Sequence, residues 1–285
     1  MRKGLSLHVG MQYCDSDHYG EMATLETCQK DALDMQDIAD ARGFESQLLL
    51  NEAATTDAIK SAITHASKQL QEGDMFFFSY SGHGGSLPDT NHDEGENDHA
   101  DETLCLYDRQ LLDDELALLW GAFKEGVRIV VVSDSCHSGT VIKAPQEEHD
   151  NEPTFLVKSI DGAKAREVYR KNQETYDAVS AEIDPIKEED IHASVLLLAA
   201  CQDYQFSYIL QQAENSLFTE KLNQVWDGSQ FVGTIASFFE QVKAKVEAVE
   251  IIDQDGTVLK QTPNLYTVGK ELEGYVEQKP FAIFE

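Results

Sequence analysis

The sequence predicts an α/β fold, a three-layer α/β/α sandwich around a mainly parallel central sheet, and three observations carry that expectation. Strand and helix patterns alternate along the chain. The strand-like runs, such as Met75-Phe-Phe-Phe-Ser-Tyr80 and Ile129-Val-Val-Val-Ser133, are apolar for most of their length, as strands covered on both faces must be. At 285 residues with 41% hydrophobic content, the chain can bury a full core as one large domain spanning 1–285.

In chain order, residues 5–9 read as a first strand. Leu25, Cys28, Ala32, Met35 and Ala39 recur at three-and-four spacing, an amphipathic helix that ends near Gly43. Residues 47–50 are a short strand, and 58–70 a helix with Ile59, Ile63, Ala66 and Leu70 on one face. The strand 75–80 is followed by a helix over 113–123, with Leu116, Leu119, Trp120 and Phe123 inward, and then by the strand 129–133. A fifth strand covers 194–200, and 229–249 contains a further helix. Regular alternation of this kind builds a parallel sheet with helices on both faces.

Charge and cysteine content exclude several function classes. With 22 basic and 52 acidic residues the formal charge is −30, which repels phosphate backbones and anionic lipid, so nucleic-acid and membrane partners are not expected. Basic peptides are attracted. The five cysteines (Cys14, Cys28, Cys105, Cys136 and Cys201) are odd in number and lack metal-ligand spacing, which fits a reducing compartment. Residues 5–9 are too short and polar for a signal peptide, and no run approaches a membrane span. A soluble, cytoplasmic protein is expected.

Two stretches break the alternation. Residues 88–102 hold Asp89, Asp93, Glu94, Glu96, Asp98, Asp101 and Glu102 without a basic residue, which reads as a solvated loop unless a cation binds it. Residues 143–192 form a long insertion carrying Lys143, Lys158, Lys164, Arg166, Arg170, Lys171 and Lys187, with a surface helix expected over 163–183. Long insertions beside a site are commonly functional.

Two strands end in reactive side chains. Arg128-Ile-Val-Val-Val-Ser-Asp-Ser-Cys-His-Ser-Gly139 delivers Cys136, and Met75-Phe-Phe-Phe-Ser-Tyr-Ser-Gly-His-Gly-Gly85 delivers His83. A helix between them makes a β-helix-β unit whose parallel strands lie about 4.8 Å apart. Cys136 and His83 therefore face one cleft at the carboxyl edge of the sheet, where open α/β folds place their sites. This is a thiol and imidazole poised for nucleophilic catalysis. Read alone, Cys136 fits an inert core thiol and His83 a satisfied strand-end histidine; it is their joint placement that argues for chemistry. His137 is a rival base, but a residue adjacent to the nucleophile normally points elsewhere.

These motifs resemble a known family. Ser81-Gly-His-Gly84 and Asp134-Ser-Cys-His-Ser-Gly139 are similar to the His and Cys motifs of metacaspases, caspase-like cysteine peptidases, and Leu25-Glu-Thr-Cys-Gln-Lys-Asp-Ala32 resembles the family's Cys-x-x-Asp-Ala helix. The Gln-Ala-Cys-x-Gly signature of animal caspases is absent. The resemblance spans roughly residues 4 to 240. It implies a cysteine endopeptidase acting on protein or peptide substrates with basic residues, and a monomer. Cys136 is the implied nucleophile and His83 the base, and the oxyanion is received by the amides of Cys136 and Gly84. Asp31 and Asp134, with Ser81, are the implied pocket for an Arg or Lys side chain. For Asp31 a solvated helix face beside Asp34 and Asp37 is the alternative.

The family's calcium ligands correspond to Asp101, Asp113 and Asp114, although Asp113 and Asp114 also suit a helix start. Lys143 replaces a fourth aspartate, so no cofactor is expected to be required. His92 and His99 are too irregularly spaced to argue for a transition metal. An enzyme that selects Arg or Lys has suitable bonds in its own insertion, and self-cleavage is expected after Lys143, Lys158, Lys164, Arg166, Arg170 or Lys171. The competing class is a catalytically silent caspase-like interaction module, although both reactive residues are present.

Overall fold

The computed structural model describes residues 2–88, 100–136, 155–184, 186–202, 204–253, 255–270 and 272–283. Its strands are β1 (Gly4–Gly10), β2 (Glu45–Leu50), β3 (Met75–Ser81), β4 (Gly84–Pro88), β5 (Ala100–Cys105), β6 (Gln110–Leu112), β7 (Arg128–Asp134), β8 (Phe155–Val157), β9 (Ser194–Ala199), β10 (Tyr208–Leu210), β11 (Ile251–Ile252), β12 (Val258–Leu259) and β13 (Asn264–Gly269). The α-helices are α1 (Ser16–Tyr19), α2 (Cys28–Ala41), α3 (Thr56–Gln69), α4 (Asp113–Gly121), α5 (Gly162–Lys171), α6 (Gln173–Glu182), α7 (Leu217–Trp226) and α8 (Ile235–Glu247).

The central sheet runs β13-β9-β7-β3-β1-β2. Every pair is parallel except the edge strand β13, which is antiparallel to β9. Period-two alternation divides the core. Met75, Phe77, Val130, Val132, Leu196 and Leu198 face α2, α7 and α8, whereas Phe76, Phe78, Ile129, Val131 and Val195 face α3 and α4. Two buried layers sandwich one sheet, and both faces of β3 and β7 are covered. This is the expected three-layer architecture.

The register of this sheet sets the site. Tyr80 pairs with Ser133 and Ser81 with Asp134, so His83 and Cys136 each leave the sheet two residues beyond paired positions. Between β3 and β7 the chain makes an antiparallel three-stranded sheet, β4-β5-β6, before α4. Its arms bracket the acidic stretch, whose residues 89–99 lie outside the described residues. Asp101, read as part of a solvated loop unless a cation binds it, is buried on β5.

The insertion also differs from expectation. Its helix is two helices, α5 and α6, broken at Asn172. The Asn172 side chain donates to the Val168 and His18 carbonyls, competing with the backbone as short amide side chains do. Neither helix is merely superficial: Ala165, Val168 and Tyr176 are buried with Tyr19, Leu87, Cys105 and Ile160. Before α5, β8 pairs antiparallel with β10 as a separate ribbon. No helix among the described residues is long and apolar enough to cross a membrane.

Candidate active site

Ser81 and Asp134 end the adjacent strands β3 and β7, and Asp31 stands in the first turn of α2, which packs on that end of the sheet. All three are buried and converge on one cation, Lys158, which follows β8. The Lys158 ammonium lies 3.0 Å from Asp134 Oδ1 and 3.6 Å from Asp31 Oδ2. It donates to Ser81 Oγ at 2.7 Å and to Ser216 Oγ at 2.9 Å. An ammonium has three donors, and Asp134, Ser81 and Ser216 take all of them. Burial by itself would depress the Lys158 pKa, yet Asp134, Cys28 and Asp31 raise it above its ordinary value, so the side chain is held charged.

Each carboxylate has its own scaffold. Asp31 Oδ1 accepts from Asn215 Nδ2 at 2.9 Å and from the Ser216 amide at 3.0 Å, and its Oδ2 accepts from Ser81 Oγ at 2.7 Å. Burial pushes the Asp31 carboxyl up, against the pull of Lys158, Ser216 and Ser81. Asp134 Oδ1 accepts from Ser207 Oγ at 2.7 Å, and Oδ2 from the Thr219 amide at 3.1 Å and hydroxyl at 2.7 Å. A buried pair of carboxylates is tolerable only with such hydrogen bonds and a cation in place.

The main chain of the same lysine enters the second half of the site. The Lys158 carbonyl accepts from the Gly84 amide at 2.9 Å and from the Cys136 amide at 3.1 Å, and the Lys158 amide donates to the Ser207 carbonyl at 3.1 Å. Glycine at 84 follows from this close approach. A Cβ there would lie 1.8 Å from the Cys136 carbonyl oxygen.

His83 and Cys136 were expected to face an open cleft, but His83 is 3% exposed and Cys136 0%. The segment carrying Lys158 covers them. His83 Nε2 lies 2.8 Å from the Ala23 carbonyl, which can only accept, so Nε2 carries the proton and Nδ1 the lone pair. That Nδ1 is buried without a hydrogen-bond partner among the described residues. Burial lowers the ring's pKa to about 4, with the Ala23 and Ser159 backbone opposing, so the imidazole is neutral. Cys136 Sγ accepts from the Ser207 amide at 2.6 Å and lies 3.6 Å from the Ser207 carbonyl. Thiol and imidazole are therefore not hydrogen-bonded to each other in this arrangement.

The residues of the metal expectation lie on neighbouring elements, with α4 packed on β5. Asp101 is on β5, and Asp113 accepts the Asp114 amide in the first turn of α4. Among the described residues no three His, Cys, Asp or Glu side chains gather to hold a metal ion. His92, His99, His137 and Lys143 lie outside the described residues. Sequence reasoning placed Lys158 only among the self-cleavage candidates, and it missed Ser207, Asn215, Ser216 and Thr219 altogether. For Lys158 a signal existed in Phe155-Leu-Val-Lys158, a short apolar run ending in a cation within an otherwise charged insertion.

A family model described as a caspase domain, Peptidase C14, matches residues 14–272, which is most of the chain. The chain belongs to this caspase family. Metacaspase-1 of Mycosarcoma maydis is 30% identical over 157 residues, covering 50% of this chain and 37% of that protein. Metacaspase-1 of Plasmodium falciparum is 30% identical over 191 residues, covering 57% of this chain and 30% of its own length. The chain thus spans about a third of the length of these curated relatives. The crystal structure of protein GSU0716 from Geobacter sulfurreducens matches with a TM-score of 0.85 at 38% identity, over 99% of this chain and 100% of that one. The caspase domain thus covers residues 14–272, and it carries Cys136 and His83 at the carboxyl edge of its sheet.

Proposed function

We propose that the chain is a cysteine endopeptidase that hydrolyses bonds after Lys or Arg, and that it holds its own Lys158–Ser159 bond as a resident substrate. One observation carries this reading: Lys158 puts its ammonium between Asp31 and Asp134 and its carbonyl between the amides of Gly84 and Cys136. In this reading His83 Nδ1 takes the Cys136 proton as Sγ attacks the carbonyl carbon. Negative charge gathering on the carbonyl oxygen is met by the two amides. Collapse breaks the C–N bond, His83 returns its proton to the leaving amine, and a thioester to Cys136 remains. Water then adds to the thioester with His83 as base, releasing the acid and restoring the thiol.

Specificity comes from the carboxylates, since a lysine or arginine entering the pocket supplies the cation they lack once Lys158 leaves. Asp31→Ala or Asp134→Ala is expected to lower kcat/KM on Arg and Lys peptides by at least about a hundredfold, since removing one partner of a buried pair costs roughly 3–5 kcal/mol, about 150- to 5,000-fold. Alkylation of Cys136 by iodoacetamide, which needs no cation pocket, should not slow. Unchanged Arg-peptide turnover in both variants would show the pocket to be misassigned.

The filled cleft also suits a silent interaction module, and covalent labelling separates the two. An arginyl chloromethylketone should attach to Cys136 of the processed enzyme; a chain that turns over no basic peptide and takes no label is the silent module. Calcium is proposed to be dispensable, because Lys143 stands where the family has its fourth aspartate. Activity measured in excess chelator should remain a substantial fraction of the calcium-replete value. Complete loss on chelation, reversed by millimolar calcium, would contradict this.

A further inference from the structure

We infer that the cleft reads three apolar residues ahead of the basic one, so that its preferred substrate is an extended peptide of aromatic, aliphatic and β-branched residues followed by Lys or Arg. The inference rests on the peptidase reading above and adds the substrate class on the amino side of the cut. Its basis is the way residues 155–158 are held. Phe155, Leu156 and Val157 pair antiparallel with Leu210, Ile209 and Tyr208, and the Lys158 amide continues the ladder to Ser207. This is strand addition to β10, in which main-chain bonds hold the peptide and alternate side chains enter separate pockets.

The two faces of the added strand meet different surfaces. Phe155 packs edge-on against Tyr208 with ring centroids 5.3 Å apart, and Tyr208 in turn meets Phe206. Val157 lies on the same face against the cluster that includes Cys136, Phe206 and Tyr208. Leu156 points the other way, onto Leu25, Cys28 and Ile209. Because a one-residue slip would exchange these faces, the apolar residues also fix which peptide carbonyl reaches the amides of Gly84 and Cys136. Past the bond, Ser159 bridges Gly84 and the Ile160 amide donates to the Gly84 carbonyl at 3.0 Å. Charge alone does not make this selection, since a chain of net charge −30 attracts any basic peptide.

The test has two arms. In Cys136→Ala, which cannot cut itself, limited trypsin digestion mapped by mass spectrometry reads how well residues 155–158 protect the Lys158–Ser159 bond. Adding Phe155→Ser, Leu156→Ser and Val157→Ser should speed trypsin cleavage at that bond at least tenfold, with cleavage after Lys60 and Lys245 unchanged. Where the triple variant loosens the rest of the chain, Phe155→Ser alone gives the same comparison. An unchanged rate at Lys158 overturns the inference. In the second arm, processed enzyme is offered Phe-Leu-Val-Lys and Gly-Gly-Gly-Lys coumarin amides. At least a tenfold higher kcat/KM for the first is expected, and equal values overturn the inference. Failure to cleave either peptide refutes the peptidase reading instead, and the trypsin rates then decide on the apolar subsites.

Discussion

Cys136→Ala is expected to abolish turnover of Arg and Lys peptides and to leave the chain intact at Lys158, and His83→Ala should do the same. Both effects should be at least a thousandfold, because each variant removes a bond-making or proton-carrying group whose partner cannot act alone. The stability consequences differ, since both residues are buried. Losing one sulfur from a packed site costs about 1 kcal/mol, whereas losing the His83 ring opens a larger void but also removes a buried Nδ1 that has no hydrogen-bond partner among the described residues. The pH profile of self-cleavage should carry the same signature. With its pKa lowered to about 4 by burial, His83 stays neutral, and so able to accept a proton, from pH 7 down to about 5. Self-cleavage should therefore fall only as pH drops through about 4. Once residues 155–158 leave and water reaches the ring, the acid limb for external peptides should move up toward the ordinary imidazole value near 6.5. Near-native peptide turnover by either variant, measured with a fluorogenic substrate, would sink the mechanism.

Much of this fold was legible because its strands are simple. Runs such as Met75-Phe-Phe-Phe and Ile129-Val-Val-Val have no other stable use than a sheet covered on both faces, and Cys136 and His83 follow from where those runs stop. Four kinds of feature were not legible. The strand β13 carries Asn264-Leu-Tyr-Thr-Val-Gly269, half-buried at a sheet edge, where neither an apolar run nor strict alternation is enforced. The strands β8 and β10 are three residues each, too short for periodicity to show. The scaffold of Asp31 and Asp134 consists of Asn215, Ser216, Ser207 and Thr219, polar residues of a kind found on any loop, and only tertiary contacts distinguish them. Finally, the basic residues of the insertion looked equivalent as sequence. Lys164, Arg166, Arg170 and Lys171 sit in the hydrogen-bonded turns of α5, where the backbone cannot lie extended in a cleft, whereas Lys158 ends an extended strand. What separates them is conformation, which composition does not encode.

Lys158→Ala is expected to destabilise the chain and open the site at once. The substitution leaves Asp31 and Asp134 buried with no cation between them, a loss on the order of 3–5 kcal/mol if residues 155–158 stay docked. Undocking relieves that cost by admitting water, so the chain should take this route and expose Cys136. At roughly 2–4 °C per kcal/mol for a chain of this size, the melting temperature should fall by about 5–15 °C. Three further readouts should move together: self-cleavage at 158 disappears, iodoacetamide reaches Cys136 faster than in wild type, and basic peptides are hydrolysed without prior processing. Lys158→Arg should behave differently, because a guanidinium also satisfies the carboxylates and presents the same carbonyl to Gly84 and Cys136. It should retain both stability and self-cleavage. A small cation such as agmatine should raise the melting temperature of Lys158→Ala but not of wild type, whose pocket is already filled. Wild-type stability together with an unreactive Cys136 in Lys158→Ala would mean that the buried lysine is not what keeps this cleft closed.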